Sequence, residues 1–128
     1  VTEEENTMPD HEKLVIMVTH GPEEPELATI PFAMAGAAVA SDVDVVMGFQ
    51  GDGCRLVQKG VADTVTAPGF APLSGLLDSV RELGGKLLVC SPCVKSREIE
   101  DDLVEGAEIC AAARFVAEVT SATSTLVY

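Results

Sequence analysis

The amino-acid sequence predicts an α/β fold organised on a parallel sheet, and three observations lead there. Strand-length apolar runs at residues 13–19 (KLVIMVT), 42–49 (DVDVVMGF) and 86–90 (KLLVC) alternate with helix-prone stretches. These runs are apolar on both faces, as strands covered from both sides must be. Hydrophobic residues make up 47% of the chain but aromatics only 4%, with no Trp, so Val, Leu, Ile and Ala must build the core. At 128 residues one domain and one core are expected.

Residues 1–12 (VTEEENTMPDHE) are polar and acidic and read as a mobile arm, with His11 solvated. The α/β domain is expected over residues 13–128. Its first strand, 13–19, ends at His20-Gly21-Pro22, and the acidic residues 23–26 favour a helix start. Residues 27–40 are so rich in Ala, Leu and Met that this helix should pack on two sides, against the sheet and against another subunit. Pro31 must fall in its first turn or mark a kink. The second strand, 42–49, runs into the turn Gln50-Gly51-Asp52-Gly53, and residues 54–60 read as a single helical turn. Pro68, Gly69 and Pro72 make 61–72 a loop. Leu73, Leu76, Leu77, Val80 and Leu83 recur at helical spacing, and Gly84-Gly85 caps that helix. After the strand 86–90 the reading divides. Residues 101–118 are drawn either as one helix or as an extended stretch 107–110 followed by a helix over 111–119. Residues 123–128 (TSTLVY) close the chain as a strand.

A net charge of −13 and a pI near 4.3 argue against nucleic acid and anionic membranes as partners, because phosphates need a basic face. No stretch of 18 uninterrupted apolar residues occurs, so no membrane span is expected. The amino terminus lacks the basic-then-apolar order of a signal peptide. A cytoplasmic location is therefore expected, and the four cysteines do not read as a disulfide framework.

Chemistry concentrates in residues 86–97, KLLVCSPCVKSR. An apolar strand ends on Cys90, Pro92 suits the start of a helix, and Cys93 falls in the first helical turn. Unpaired N–H groups there stabilise a thiolate. Four of the eight basic residues, Arg81, Lys86, Lys95 and Arg97, lie nearby in sequence, so an electropositive thiol site is expected. His20 reads as a ligand contact or proton donor, or more plainly as a hydrogen-bonded loop histidine. Asp52 reads as a turn residue or a site residue. Cys54 and Cys110 are flanked by apolar residues and read as core or interface, with Cys54 the more suspect because it follows a strand end. No metal site is expected, since the chain has one close cysteine pair and no histidine at ligand spacing to it. No GxGxxG or Walker pattern supports a nucleotide or other cofactor.

With these residues in hand, the chain resembles the DsrE/DsrF family of small sulfur-relay proteins, which includes TusD-like carriers. The resemblance covers about residues 13–128. It rests on Thr19-His20-Gly21-Pro22, the Ala-rich first helix, residues 48–53 (GFQGDG), Leu83-Gly84-Gly85, residues 90–97 (CSPCVKSR) and residues 103–109 (LVEGAEI). It implies a single-domain three-layer sandwich with a mostly parallel five-stranded sheet, assembly as a homotrimer or homohexamer, and the divided reading of the carboxyl-terminal region. It also implies a sulfurtransferase-like carrier in which Cys90 takes up persulfide sulfur. Cys93, absent from the simplest carriers, would then be a resolving or assisting thiol. His20, Asp52, Lys95 and Arg97 are the candidate supporting residues, and sulfur donor and acceptor proteins or small persulfides the expected partners. The alternatives are a dithiol–disulfide oxidoreductase using the same pair, and a non-catalytic oligomeric module.

Overall fold

The computed structural model describes residues 12–128. The expected amino-terminal arm, with His11, lies outside the described residues except for Glu12, whose carbonyl accepts the Asp44 N–H at 2.9 Å. Five strands form one sheet: β1 (Lys13–Val18), β2 (Asp44–Phe49), β3 (Lys86–Cys90), β4 (Ala107–Cys110) and β5 (Ser124–Val127). Their order is β4-β3-β2-β1-β5, and every neighbouring pair is parallel. The helices are α1 (Pro25–Ala40), α2 (Leu73–Glu82), α3 (Ser91–Ser96) and α4 (Ala112–Thr120).

The strand order accounts for the layers. From β1 to β4 the chain steps across the sheet in one direction, and right-handed crossovers keep the intervening elements on one face. The connection from β4 to β5 runs back the other way, so α4 lies on the opposite face. Two apolar clusters follow. Ile16, Val18, Met47, Phe49, Leu87 and Val89 pack towards α1 and α2, while Val15, Met17, Val46 and Leu88 pack beneath Phe115 of α4. Alternate residues of β1, β2 and β3 thus enter different cores, which is why these strands are apolar on both faces.

Several boundaries differ from the sequence reading. α1 begins at Pro25, and Pro31 is its seventh residue, buried and without an N–H for the Leu27 carbonyl. β2 begins at Asp44 because Asp42 takes φ 62°. The N–H groups of Asp42 and Val43 return to the Val39 and Ala38 carbonyls and close α1. The helical turn expected over 54–60 is a 3₁₀ segment, Gly51–Val57, starting three residues earlier from Gly51 at φ +54°. The stretch 61–72 contains a second short 3₁₀ segment, Ala62–Thr64. Of the two drawings of the carboxyl-terminal region, the structure has the divided one, β4 followed by α4. Gly84 at φ +91° closes α2, with Gly85 N–H bonded to the Val80 carbonyl at 2.8 Å.

Candidate functional site

Parallel strands bring their carboxyl ends to one edge of the sheet, where sites of α/β proteins form. Here the edge carries His20 after β1, Gln50–Gly53 after β2, Cys90 at the end of β3 and Cys110 at the end of β4. Two glycines draw the first two together. A side chain on Gly21 would stand 2.9 Å from the Asp52 carbonyl oxygen, and one on Gly53 would stand 2.1 Å from that of Val18. The 3₁₀ segment therefore lies directly against the end of β1.

Cys90 is the residue before α3, with extended backbone (φ −63°, ψ 120°), and Cys93 lies one turn on, in the first turn of the helix. Their sulfurs are 2.8 Å apart, with Cys93 Sγ donating to Cys90 Sγ. A disulfide bond is about 2.05 Å long, so a modest side-chain rotation separates dithiol from disulfide. Gly51 N–H donates to Cys93 Sγ at 3.2 Å and ties the pair to the loop after β2. Arg97 completes the frame. Its Nη2 and Nε donate to Asp52 Oδ1 at 2.8 and 3.2 Å, and its Nη1 donates to the Cys93 carbonyl at 3.2 Å. Both cysteines of the pair are half-buried.

The electropositive setting is narrower than the sequence suggested. Lys86 opens β3 and so lies about 13 Å from Cys90 at ~3.3 Å per residue. Arg81 belongs to α2 and pairs with Asp78 at 3.5 Å. Both are at the amino end of the sheet. Lys95 is exposed, and the charge of Arg97 is balanced by Asp52. A six-residue helix has little dipole to offer. Burial consequently dominates at Cys90 and pushes its thiol above the ordinary range. The hydrogen bond with Cys93 acts in the same direction, and the Cys93 backbone N–H acts against it. The thiol-acidifying strand end expected from the sequence is thus, at Cys90, a proton-retaining one.

Hydrogen bonding from Arg97, reinforced by its charge, holds the Asp52 carboxyl below the ordinary carboxylate range. A depressed folded-state value means that the pair stabilises the fold above the ordinary Asp range and ceases to as pH falls through the depressed value. Asp52→Asn is therefore expected to lower the melting temperature at neutral pH, with the difference from wild type shrinking on acidification. A difference that stays constant down to strongly acidic pH would show that the ion pair is not its source.

His20 is half-buried at the same edge, and its Nδ1 is buried without a partner among the described residues. Among the described residues it makes no hydrogen bond to either thiol. Cys54 is fully buried in the larger core, and burial raises its thiol too. Cys110, by contrast, is half-buried and packs against the cluster beneath α4. A cleft of about 440 Å³ is lined by residues including Asp78, Arg81, Gly85 and Glu105. It opens at the amino ends of β3 and β4, away from the thiols, and brings no cysteine or histidine to its walls. Among the described residues no group of three or more His, Cys, Asp or Glu is placed to hold a metal ion. None of their helices is long and apolar enough to cross a membrane.

A model of the DsrE/DsrF-like family matches residues 12–128. Among solved structures, the crystal structure of the ychN protein from E. coli is similar to this chain, with a TM-score of 0.77 and 21% sequence identity. The match covers 91% of this chain and 99% of that one, which establishes a shared fold across essentially the whole of both. No curated protein matches the chain.

Proposed function

The chain belongs to the DsrE/DsrF-like family, and from that premise we propose that it is a sulfur-transfer protein in which Cys90 accepts and passes on persulfide sulfur. Family membership supports a sulfur-relay-type role in general. The observation that carries the finer reading is the pair of thiols 2.8 Å apart at the sheet's carboxyl edge. There Gly51 N–H and the Arg97–Asp52 pair hold Cys93 beside Cys90.

The chemistry is thiol–disulfide exchange with a persulfide as the disulfide. Cys90 Sγ, as thiolate, attacks the outer sulfur of a donor R–S–SH. The donor S–S bond breaks, R–S⁻ leaves, and Cys90 carries –S–SH. An acceptor thiolate later takes the outer sulfur and returns Cys90 as thiolate, with no net oxidation. Because Cys90 retains its proton, the neighbouring Cys93 sulfur, in contact with it, is the natural relay for that proton. Cys93 also offers a second exit: attack on the inner sulfur of Cys90–S–SH closes the Cys90–Cys93 disulfide and releases hydrosulfide. Lys95 and Arg97 are assigned to docking an anionic donor and His20 to proton donation at the same edge. Donor and acceptor are proteins or small persulfides.

The short sulfur–sulfur separation equally favours a dithiol–disulfide oxidoreductase, and one experiment separates the two. The test uses the Cys93→Ser, Cys110→Ser variant, which keeps Cys90 as the one thiol at the carboxyl edge and can close no disulfide there. After incubation with a small-molecule persulfide donor R–S–SH, a carrier gains the mass of one sulfur, an oxidoreductase keeps the donor's R–S group as a mixed disulfide on Cys90, and a non-catalytic module is unchanged.

We place the reaction in a cytoplasmic homo-oligomer, trimer or hexamer, and take residues 13–128 as its folded unit. The support is α1, where Leu27 is 37% and Met34 42% exposed on a helix whose opposite side is buried. Exposed apolar surface of this kind marks a contact face. Sedimentation showing a monomer at micromolar concentration would overturn the assembly.

A further inference from the structure

The two strands that frame the site both end on cysteine, and the parallel ladder places those cysteines side by side. In the β3–β4 register Leu88 pairs with Glu108 and Cys90 with Cys110. Partners in a parallel ladder share a face of the sheet. That face is identified by Leu88, buried beneath Phe115, and by Glu108, which accepts from Arg114 of α4 at 2.6 Å. Cys90 and Cys110 both pack against the same cluster. Neighbouring strands run about 4.8 Å apart, inside the Cα separation of roughly 4.4–6.8 Å that a disulfide spans. Neither thiol is sealed in the core as Cys54 is, and Cys110 ends an edge strand, where the backbone is paired on one side only. Burial first of all raises the Cys90 thiol, thiolate charge on Cys110 would add to it, and burial raises the Cys110 thiol as well.

We propose that Cys110 is a third reactive thiol of this site, placed to resolve Cys90 from the α4 face. Cys93 approaches the same sulfur from the side of the 3₁₀ segment. The inference deepens the reading of Cys90 as the sulfur-bearing residue and rests on its being the thiol that reacts first. When Cys90 carries a mixed disulfide, Cys90–S–S–R, the Cys110 thiolate attacks Cys90 Sγ. The bond between Cys90 Sγ and the sulfur that carries R breaks, R–S⁻ leaves, and a Cys90–Cys110 disulfide forms. With a persulfide, R is hydrogen and the leaving group is hydrosulfide. The oxidising equivalents arrive with the donor's own S–S bond. Cys90 then has two intramolecular partners, and which one reacts decides where the resulting disulfide sits.

Glutathione disulfide tests this without any sulfur donor. Removing the competing thiol as Cys93→Ser leaves Cys90 to take up glutathione and Cys110 to expel it. The intact mass of the variant is expected to fall by two hydrogens, with no glutathione retained. Trypsin cuts after Lys86, Lys95, Arg97 and Arg114, so the unreduced digest should join residues 87–95 to residues 98–114. The double variant Cys93→Ser, Cys110→Ser is expected to stop at the glutathione adduct on Cys90. Cys93→Ala serves where serine disturbs the fold. A stable adduct on Cys90 beside a free Cys110 overturns the proposal, as does a link between two chains or a Cys90 that fails to react. Cross-linking in the Cys93→Ser variant, together with a Cys93→Ser, Cys110→Ser variant that gains no sulfur from a persulfide donor, would reject the carrier reading and leave Cys110 in place.

Discussion

Cys90→Ser is expected to abolish sulfur uptake entirely while leaving the fold in place. Serine offers no sulfur to bond, so no residual loading at this position is possible, whereas a change at a merely assisting residue leaves a measurable rate. The residue is half-buried and the replacement nearly isosteric, so the stability change should stay within about 1 kcal/mol. Cys93→Ser should still load but release sulfur differently, because it keeps the accepting thiol and loses one exit. Intact mass after treatment with a persulfide donor, with circular dichroism on the same samples, reads both expectations. Sulfur appearing on Cys93 or Cys110 in the Cys90→Ser variant at the wild-type rate would transfer the accepting role to that residue. The pH dependence follows from burial. A thiol pushed upward has little thiolate at neutrality, so the uptake rate should keep rising with pH beyond the ordinary thiol range near 8.5. A rate that levels off below that range would place the reacting thiolate elsewhere.

The parts of this protein that sequence revealed are those written locally. β1 and β3 are apolar on both faces because their alternate residues enter two cores, and that pattern needs no knowledge of the partners. The closure of α2 is equally local, since Gly84 takes the left-handed conformation that closes a helix. The 3₁₀ segment Gly51–Val57 begins earlier than its local sequence suggests because its conformation answers to a distant strand. Gly53 is there so that the chain can lie on the Val18 carbonyl, and nothing in residues 50–60 announces Val18.

The site divides in the same way. Cys90 and Cys93 sit three residues apart, and a strand meeting a helix at that point brings them together. The basic residues mislead because nearness in sequence along an extended strand is distance in space, which leaves Lys86 at the wrong end. Arg97 and Asp52 find each other across 45 positions, and no spacing rule joins them. Cys110 required the sheet order. One signal was available: residues 86–90 and 107–110 each end on cysteine and are linked by a crossover that sets strands side by side. The divided drawing of the carboxyl-terminal region, which the family resemblance implies, sets these two ends side by side once the sheet order is known.

Gly53→Ala is expected to be among the most damaging single substitutions in the described chain, and its cost should appear in the thiol site as well as in stability. The added carbon would lie 2.1 Å from the Val18 oxygen, 2.7 Å from its carbonyl carbon and 3.2 Å from the Thr19 nitrogen. All three are backbone atoms, so no side chain can swing aside. Val18 itself is wholly buried at the end of a strand that is paired on both sides. The 3₁₀ segment must therefore lift off β1, which exposes Cys54, Leu56 and Val57 from the core. Overpacking with backbone displacement costs on the order of 3 kcal/mol, or roughly 10 °C in melting temperature for a domain of this size. The same shift moves Gly51 N–H away from Cys93 Sγ and Asp52 away from Arg97, so Cys93 should become more reactive towards alkylating agents as its frame loosens. Gly36→Ala is the control with the opposite sign. It lies inside α1 with nothing within 4 Å of the added carbon, and the gain in helix propensity should stabilise by about 0.5–1 kcal/mol. Thermal melts of the two variants beside wild type decide the matter. If Gly53→Ala melts with wild type, the 3₁₀ segment does not rest on β1, and the frame holding Cys93 beside Cys90 has another origin.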